Sequence, residues 1–336
     1  MAEPLLKVEN LRVEFPTRRG TLVAVDGVSL HINPGEVLGV VGESGAGKSL
    51  TGSAIIGLLD PPGRIADGRI LLEGNRIDDL PYEKMRRLRG ASIGAIFQDP
   101  LTSLNPLYTV AEQLVETIRT HSDMSAAAAR EHALSLLKEV SIPAAEQRID
   151  HYPHQFSGGM RQRVVIALAL CVNPRLIIAD EPTTALDISI QAQIIAVLKG
   201  LCREHGTAVM LVTHDMGVIA ETADRVAVMY AGRLVEVGPV ADVIRNPLHP
   251  NTVGLVGSIP AVGHTVERLT QIDGSMPRLT EIPRGCAFHP RCPEAVERCL
   301  VERPNPEDKG DSQVACWLHW HEGDHDASQN GAAIDV

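Results

Sequence analysis

Hydrophobic residues along this chain change period several times, and the changes outline its architecture. Over residues 8–15 apolar and polar positions alternate, the two-residue period of a strand with one buried face. Residues 37–41, 176–179, 208–212 and 226–229 are instead unbroken apolar runs of strand length, the pattern of a parallel sheet covered on both sides. Between them, 110–120 and 125–140 predict amphipathic helices, and 50–59 and 160–171 predict two more helical stretches. The order is strand-rich over 1–98, helical over about 99–160, and alternating strand and helix over 161–238. That pattern predicts an α/β fold with a largely parallel sheet and a helical subdomain. From Pro239 onward the periodicity fades and a loop-rich segment follows.

Two of the apolar runs end in chemistry. Val37-Leu38-Gly39-Val40-Val41 leads into Gly42-Glu43-Ser44-Gly45-Ala46-Gly47-Lys48-Ser49, which fills every position of GxxxxGK(S/T). Its glycines permit backbone angles closed to other residues, so successive N–H groups can face a phosphate chain. Lys48 is placed to reach the β- and γ-phosphates and Ser49 to ligate Mg²⁺. A glycine-rich turn with no ligand is the bland alternative, and the strand before and the helix after argue against it. The second run, Leu176-Ile177-Ile178-Ala179, ends in Asp180-Glu181. A strand buried on both faces holds no unpaired charge, so the carboxylates belong at its carboxyl end, where ligands of α/β sheets bind. Asp180 is assigned to the Mg²⁺ shell and Glu181 to polarising an attacking water.

With Ser157-Gly158-Gly159-Met160-Arg161-Gln162-Arg163 between those elements, residues 6–238 resemble the nucleotide-binding subunits of ABC transporters. The resemblance implies a P-loop NTPase domain of the ABC type, ATP and Mg²⁺ as cofactors, and roles that spacing alone does not give. It makes Gln98 a sensor of Mg²⁺ and the attacking water, and His214 a switch residue at the γ-phosphate. It makes Ser157, Gly158, Gly159 and Met160 the signature that caps ATP held by a second, facing subunit. Ala185-Leu186-Asp187 becomes the loop between the two sites. Phe156 and Met160 stand where that family usually has Leu and Gln. The family also stacks adenine on an aromatic residue ahead of the loop; Phe15 and Leu50 complete the expected ATP contacts, with a core position on the alternating strand equally open to Phe15. Asp99-Pro100-Leu101-Thr102-Ser103-Leu104-Asn105-Pro106, a proline-rich connection, is the expected docking surface for a membrane subunit.

The segment 239–321 narrows the resemblance. Asn246-Pro247-Leu248-His249-Pro250 and Gly257-Ser258-Ile259-Pro260 resemble the C-terminal extension of ATPases that serve peptide and nickel importers. Cys286, Cys292, Cys299 and Cys316 follow in a loop-rich setting. Zinc sites of four cysteines usually contain close Cys-x-x-Cys pairs, absent here. Spread thiolates and the family resemblance point to a 4Fe-4S cluster stapling the extension, with zinc and unliganded thiols as the other readings. Cys171 and Cys202, in apolar helical stretches, are expected in the core. Residues 322–336 are polar and small, as in a disordered tail; His319, His321 and His325 read as a solvated tail or a metal-binding one.

Composition constrains the partners. At 336 residues and 44% hydrophobic, the chain has material for one medium domain and an added one. Its longest apolar stretch, 164–172, is under half of the roughly 20 residues that span a bilayer. Met1-Ala2-Glu3-Pro4 has no signal-peptide character, which leads us to expect a peripheral subunit on the cytoplasmic face of the inner (plasma) membrane. The pore then comes from two permease subunits, substrate from an extracytoplasmic binding protein, and the second ATPase from a sister chain. Net charge of -11 argues against a nucleic-acid partner, and the basic run Arg86-Arg87-Leu88-Arg89 reads as a solvated helix face. The expected function is ATP hydrolysis coupled to peptide import. A nickel or metal-chelate importer and a soluble regulatory ATPase are the alternatives.

Overall fold

A computed structural model of the chain describes residues 3–183, 188–259 and 272–320. Among these residues two sheets form. The smaller is antiparallel, in the order β2 (Gly20–Ile32), β1 (Leu6–Thr17), β4 (Arg64–Leu72), β5 (Asn75–Arg76). The larger has eight strands, ordered β11 (Glu307–Lys309), β12 (Ser312–Val314), β10 (Arg233–Pro239), β9 (Arg225–Tyr230), β3 (Val37–Val41), β8 (Ala208–Val212), β7 (Leu176–Asp180), β6 (Ile93–Ile96). Strands β9, β3, β8, β7 and β6 are mutually parallel. Every residue of β3 and β8 is buried, which is why their sequences are uninterruptedly apolar.

Two cores flank the parallel strands. On one face Val41, Ile177, Val209 and Leu211 pack with the helical residues Val110, Leu114, Ile118, Ala133, Leu137 and Val164. On the other, Leu38, Val40, Ile178 and Met210 pack against Leu6, Leu11, Val13 and Ile70 of the antiparallel sheet. Alternate residues of one strand serve opposite cores, so a one-residue slip would exchange the two sets of partners.

The predicted helical spans hold, with shifted ends. Helix Val110–His121 is closed by a capping box between Thr109 and Glu112, and Ala126–Glu139 is capped by Ser125. The stretch expected over 50–59 runs as Lys48–Ile55 instead. Gly57, in the left-handed region, turns the chain so that the amides of Gly57 and Leu58 donate to Ala54 and Ser53. Arg89 completes this end by donating to the carbonyls of Ile56 (2.8 Å) and Gly57 (2.7 Å). The basic run is therefore not simply a solvated face: Arg86 pairs with exposed Glu83, but Arg89 caps a helix. The connection after Gln98 contains a helical turn, Pro100–Ser103, held by Thr102 and Ser103 hydroxyls donating to the Asp99 carbonyl.

The extension is better knit than its composition suggests. Strand β12 pairs with β10 through Glu236 opposite Val314 and Val237 opposite Gln313, so the extension continues the main sheet. Buried Glu236 accepts from the amides of Leu248 and His249, both at 2.9 Å. His319 lies in a 3-10 turn with its Nε2 2.8 Å from the Leu248 carbonyl, and so is not part of a free tail. Strands of three residues such as Glu307-Asp308-Lys309 carry too little periodicity to be read from sequence. His321, His325 and residues 322–336 lie outside the described residues, as does Pro260.

Candidate functional site

Strand β3 delivers the chain to the glycine-rich loop at the carboxyl edge of the parallel strands. The loop's backbone leaves little choice of residue. Gly42 has φ 154°, and a Cβ there would come within 2.3 Å of the Met229 carbonyl oxygen. Gly47, at φ 100°, caps helix Lys48–Ile55, whose amides open toward the loop. Lys48 is buried, and its Nζ donates to the carbonyls of Gly42 (2.8 Å) and Glu43 (3.0 Å). Burial lowers the lysine pKa, against the opposing charges of Glu181, Asp180 and Glu43.

The second predicted element meets the first. Ser49 Oγ donates to Asp180 Oδ1 at 2.9 Å, joining residues 131 positions apart. Burial raises the Asp180 pKa, with the Ser49 hydrogen bond acting the other way. One residue on, Glu181 adopts φ 47°, and its amide donates to Val212 O at 2.8 Å. That turn aims its carboxylate between two more predicted residues. Gln98 Nε2 donates to Glu181 Oε2 at 2.9 Å, and His214 Nδ1 lies 3.3 Å from Glu181 Oε1. His214 follows β8, just before Asp215, whose carboxylate accepts from Gly217 N (2.8 Å) and Val218 N (3.3 Å) to start the next helix. Gln98, Asp180, Glu181 and His214 thus come from the ends of three adjacent parallel strands, beside Lys48 and Ser49. The arrangement offers a cation, a hydroxyl and carboxylate suited to Mg²⁺, and a carboxylate held between an amide and an imidazole.

Ser157 caps helix Gly158–Leu170, accepting from Met160 N at 3.4 Å. Ser157 and Gly158 are exposed, while Gly159 is buried where a Cβ would come within 2.8 Å of the Ile190 side chain. The helix therefore presents its N-terminal amides to solvent. Ala185, Leu186 and Asp187 lie outside the described residues. Phe15 pairs opposite Leu22 and packs, half-buried, on the antiparallel core against Gly63; Leu50 also packs there. Phe97, Leu107 and Tyr108, which flank the connection 99–106 in sequence, are exposed by 45%, 80% and 49%.

The four cysteines of the extension form one neighbourhood. Cys286 N donates to Cys299 O at 2.9 Å, and Phe288 packs edge-on against Tyr230 with ring centroids 5.1 Å apart. Burial pushes the Cys316 thiol up to about 11, and the charges of Cys286, Cys292 and Cys299 push the same way. Burial likewise raises Cys286 and Cys292. Among the described residues, however, no three His, Cys, Asp or Glu side chains close on a point as ligands of a single ion do. Cys171 and Cys202 are buried, with burial raising both to about 12, as expected of core thiols.

One participant escaped the sequence: Arg291, whose Nη1 donates to Glu43 Oε1 and Oε2 at 2.8 and 3.1 Å across 248 positions. A single arginine in a loop carries no spacing signal that would have found it.

Residues 25–184 match the ABC transporter family, and residues 235–299 match the oligopeptide/dipeptide transporter C-terminal region. The chain is 49% identical over 335 residues to the dipeptide transport ATP-binding protein DppD of Bacillus subtilis, covering 99% of this chain and 100% of that one. It is 47% identical over 306 residues to the oligopeptide transport ATP-binding protein OppD of Escherichia coli, covering 91% and 90%. Among solved structures, a dimeric ATP-binding cassette in a post-hydrolysis state with ADP and Pi aligns with TM-score 0.63 and 31% identity, over 70% of this chain and 98% of that one.

Proposed function

The chain belongs to the ABC transporter ATPases, and from that membership we propose that it energises an importer of oligopeptides or dipeptides. What carries the reading is the gathering of Lys48, Ser49, Asp180, Glu181, Gln98 and His214 at one sheet edge in a chain whose relatives over nearly full length are peptide-transport ATPases. In this reading the loop 42–49 holds the triphosphate, with Lys48 exchanging its carbonyl partners for phosphate oxygens. Ser49 and Asp180 hold Mg²⁺, with Gln98 at its edge. Glu181 orients the attacking water, and His214 contacts the γ-phosphate. Phe15, only half-buried, keeps ring surface for the adenine, and Leu50 lies behind the loop.

The exposed helix start at Ser157 and Gly158, with Gly159 and Met160 following, serves the ATP of a second ATPase subunit, which we take to be a sister chain. Residues 99–106, flanked in sequence by exposed Phe97, Leu107 and Tyr108, form the seat for one of two permease subunits, which receive peptide from an extracytoplasmic binding protein. Among the described residues no helix is long and apolar enough to cross a membrane; from the peptide-transport relatives we take the chain to be a peripheral subunit on the cytoplasmic face.

We further propose a 4Fe-4S cluster at Cys286, Cys292, Cys299 and Cys316. Four buried or half-buried thiols share one neighbourhood, and their sequence spacing, without close Cys-x-x-Cys pairs, suits a cubane better than a zinc knuckle. The cluster would supply covalent bracing to a segment whose own strands are three residues long.

Cells carrying the chain as Glu181→Gln should lose uptake of labelled short peptides and keep uptake of radioactive nickel. Loss of nickel uptake alone would assign the chain to a metal importer. Unchanged uptake of both would leave the site without a transport role.

A further inference from the structure

The cysteine-bearing segment reaches the phosphate-binding loop through one side chain. Arg291 ends the 3-10 turn His289–Arg291, immediately before Cys292, and its side chain is only 7% exposed. The guanidinium uses its whole fork. Nε donates to Asp273 O at 2.8 Å, and Nη2 lies 3.3 Å from Ile272 O and 3.5 Å from Gly274 O. Nη1 donates to both Glu43 oxygens and to Tyr230 Oη, the latter at 3.3 Å. The cation also faces the rings of Tyr230 and Phe288 at 5.8 and 5.9 Å. Tyr230 ends β9, the strand beside β3, so the guanidinium bridges the extension, the sheet and the loop.

Glu43 has two separate tasks at this junction. Its side chain turns outward to Arg291, while its carbonyl turns inward, accepting from Lys48 Nζ at 3.0 Å and from Ala46 N at 3.2 Å. A carboxylate at the second position of a loop that must receive a polyanion is an electrostatic liability unless it is held away and neutralised. A planar, permanently charged fork meets both needs, as a lysine's single ammonium would not.

We infer that Arg291 is a positioning residue for ATP binding: by clamping and neutralising the Glu43 carboxylate, it holds the Glu43 carbonyl and Lys48 ready for the triphosphate. ATP affinity thereby depends on a residue of the extension. The clamp acts on the ground-state fit of the phosphates and not on the water held by Glu181, so it belongs to KM and not to kcat. The inference rests on the assignment of residues 42–49 as the phosphate-binding loop.

The test uses the full chain, with affinity read by a fluorescent ATP analogue, turnover by phosphate release, and stability by thermal melting. Arg291→Ala should weaken ATP about tenfold in Kd and KM, with kcat within about twofold. Arg291→Lys, which keeps the charge and loses the fork, should fall between that variant and the parent, and it supplies the comparison if the alanine variant does not fold. In a Glu43→Gln background, where no carboxylate remains to neutralise, Arg291→Ala should cost about twofold or less. An unchanged ATP affinity with a lowered melting temperature would overturn the inference, reducing the pair to a staple of the extension. So would an equal loss in both backgrounds. Lys48→Ala marks the separate failure: retained affinity in that variant would remove the loop assignment itself, and the inference with it.

Discussion

The nucleotide edge and the cysteine extension sit on the same sheet but are built by opposite rules. At the nucleotide edge each functional residue leaves the end of a buried, five-residue parallel strand, so the strand's packing fixes where Lys48, Asp180 and His214 stand. In the extension the strands are three residues long, and position is set by point contacts. These include Glu236 to the amides of Leu248 and His249, Arg303 Nη1 to Asp26 at 3.1 Å, and Arg291 to Glu43. The strands of the nucleotide edge are held by burial on both faces and not by any one polar contact. A segment held at points depends on each of them.

The largest expected effect falls on the extension. Cys316→Ser should reduce iron in anaerobically purified protein from about four per chain to near zero and lower the melting temperature of the extension. Nucleotide binding should weaken only to the level of Arg291→Ala, because the strands under the loop do not need the extension. A colourless parent protein with stoichiometric zinc would replace the cluster, and complete loss of ATP binding in Cys316→Ser would erase the contrast between the two regions.

A smaller effect sharpens the nucleotide side. Burial holds the Asp180 pKa above the ordinary carboxylate value, so protons compete with Mg²⁺ at a higher pH than for an exposed aspartate. Apparent Mg²⁺ affinity should therefore fall as the pH drops through that raised pKa, and it should recover as the pH rises. In Asp180→Asn the affinity should be lower throughout and lack this acid limb. An unchanged acid limb in that variant would move the titration to another group.

The same difference decides what the sequence disclosed. Strands β3, β7 and β8 were legible because burial on both faces writes unbroken apolar runs, and the loop 42–49 because its glycines are dictated by the approach of the Met229 carbonyl and by positive φ. Gln98 and His214 needed family resemblance, since a single amide or imidazole has no period; the geometry brings both to Glu181. Helix Lys48–Ile55 ended early because Gly57 turns the chain and Arg89 seals the end from outside the segment. Strands β11 and β12, the hydrogen bond of His319 to Leu248 O, and the Arg291 clamp were invisible. The pairing of β12 with β10 and the contacts of His319 and Arg291 join positions tens to hundreds of residues apart, where local pattern records only neighbours, and strands of three residues carry too little periodicity to show.

In the function proposed above, this edge holds ATP for hydrolysis between two subunits. It is tested most directly by the mass in solution of the Glu181→Gln chain, alone and with the proposed sister ATPase, before and after addition of ATP and Mg²⁺. A stable ATP-bound pair should form on addition and persist because the water is no longer activated. A Glu181→Gln chain that turns over ATP at the parent rate, or that binds ATP with no change in association, would contradict it.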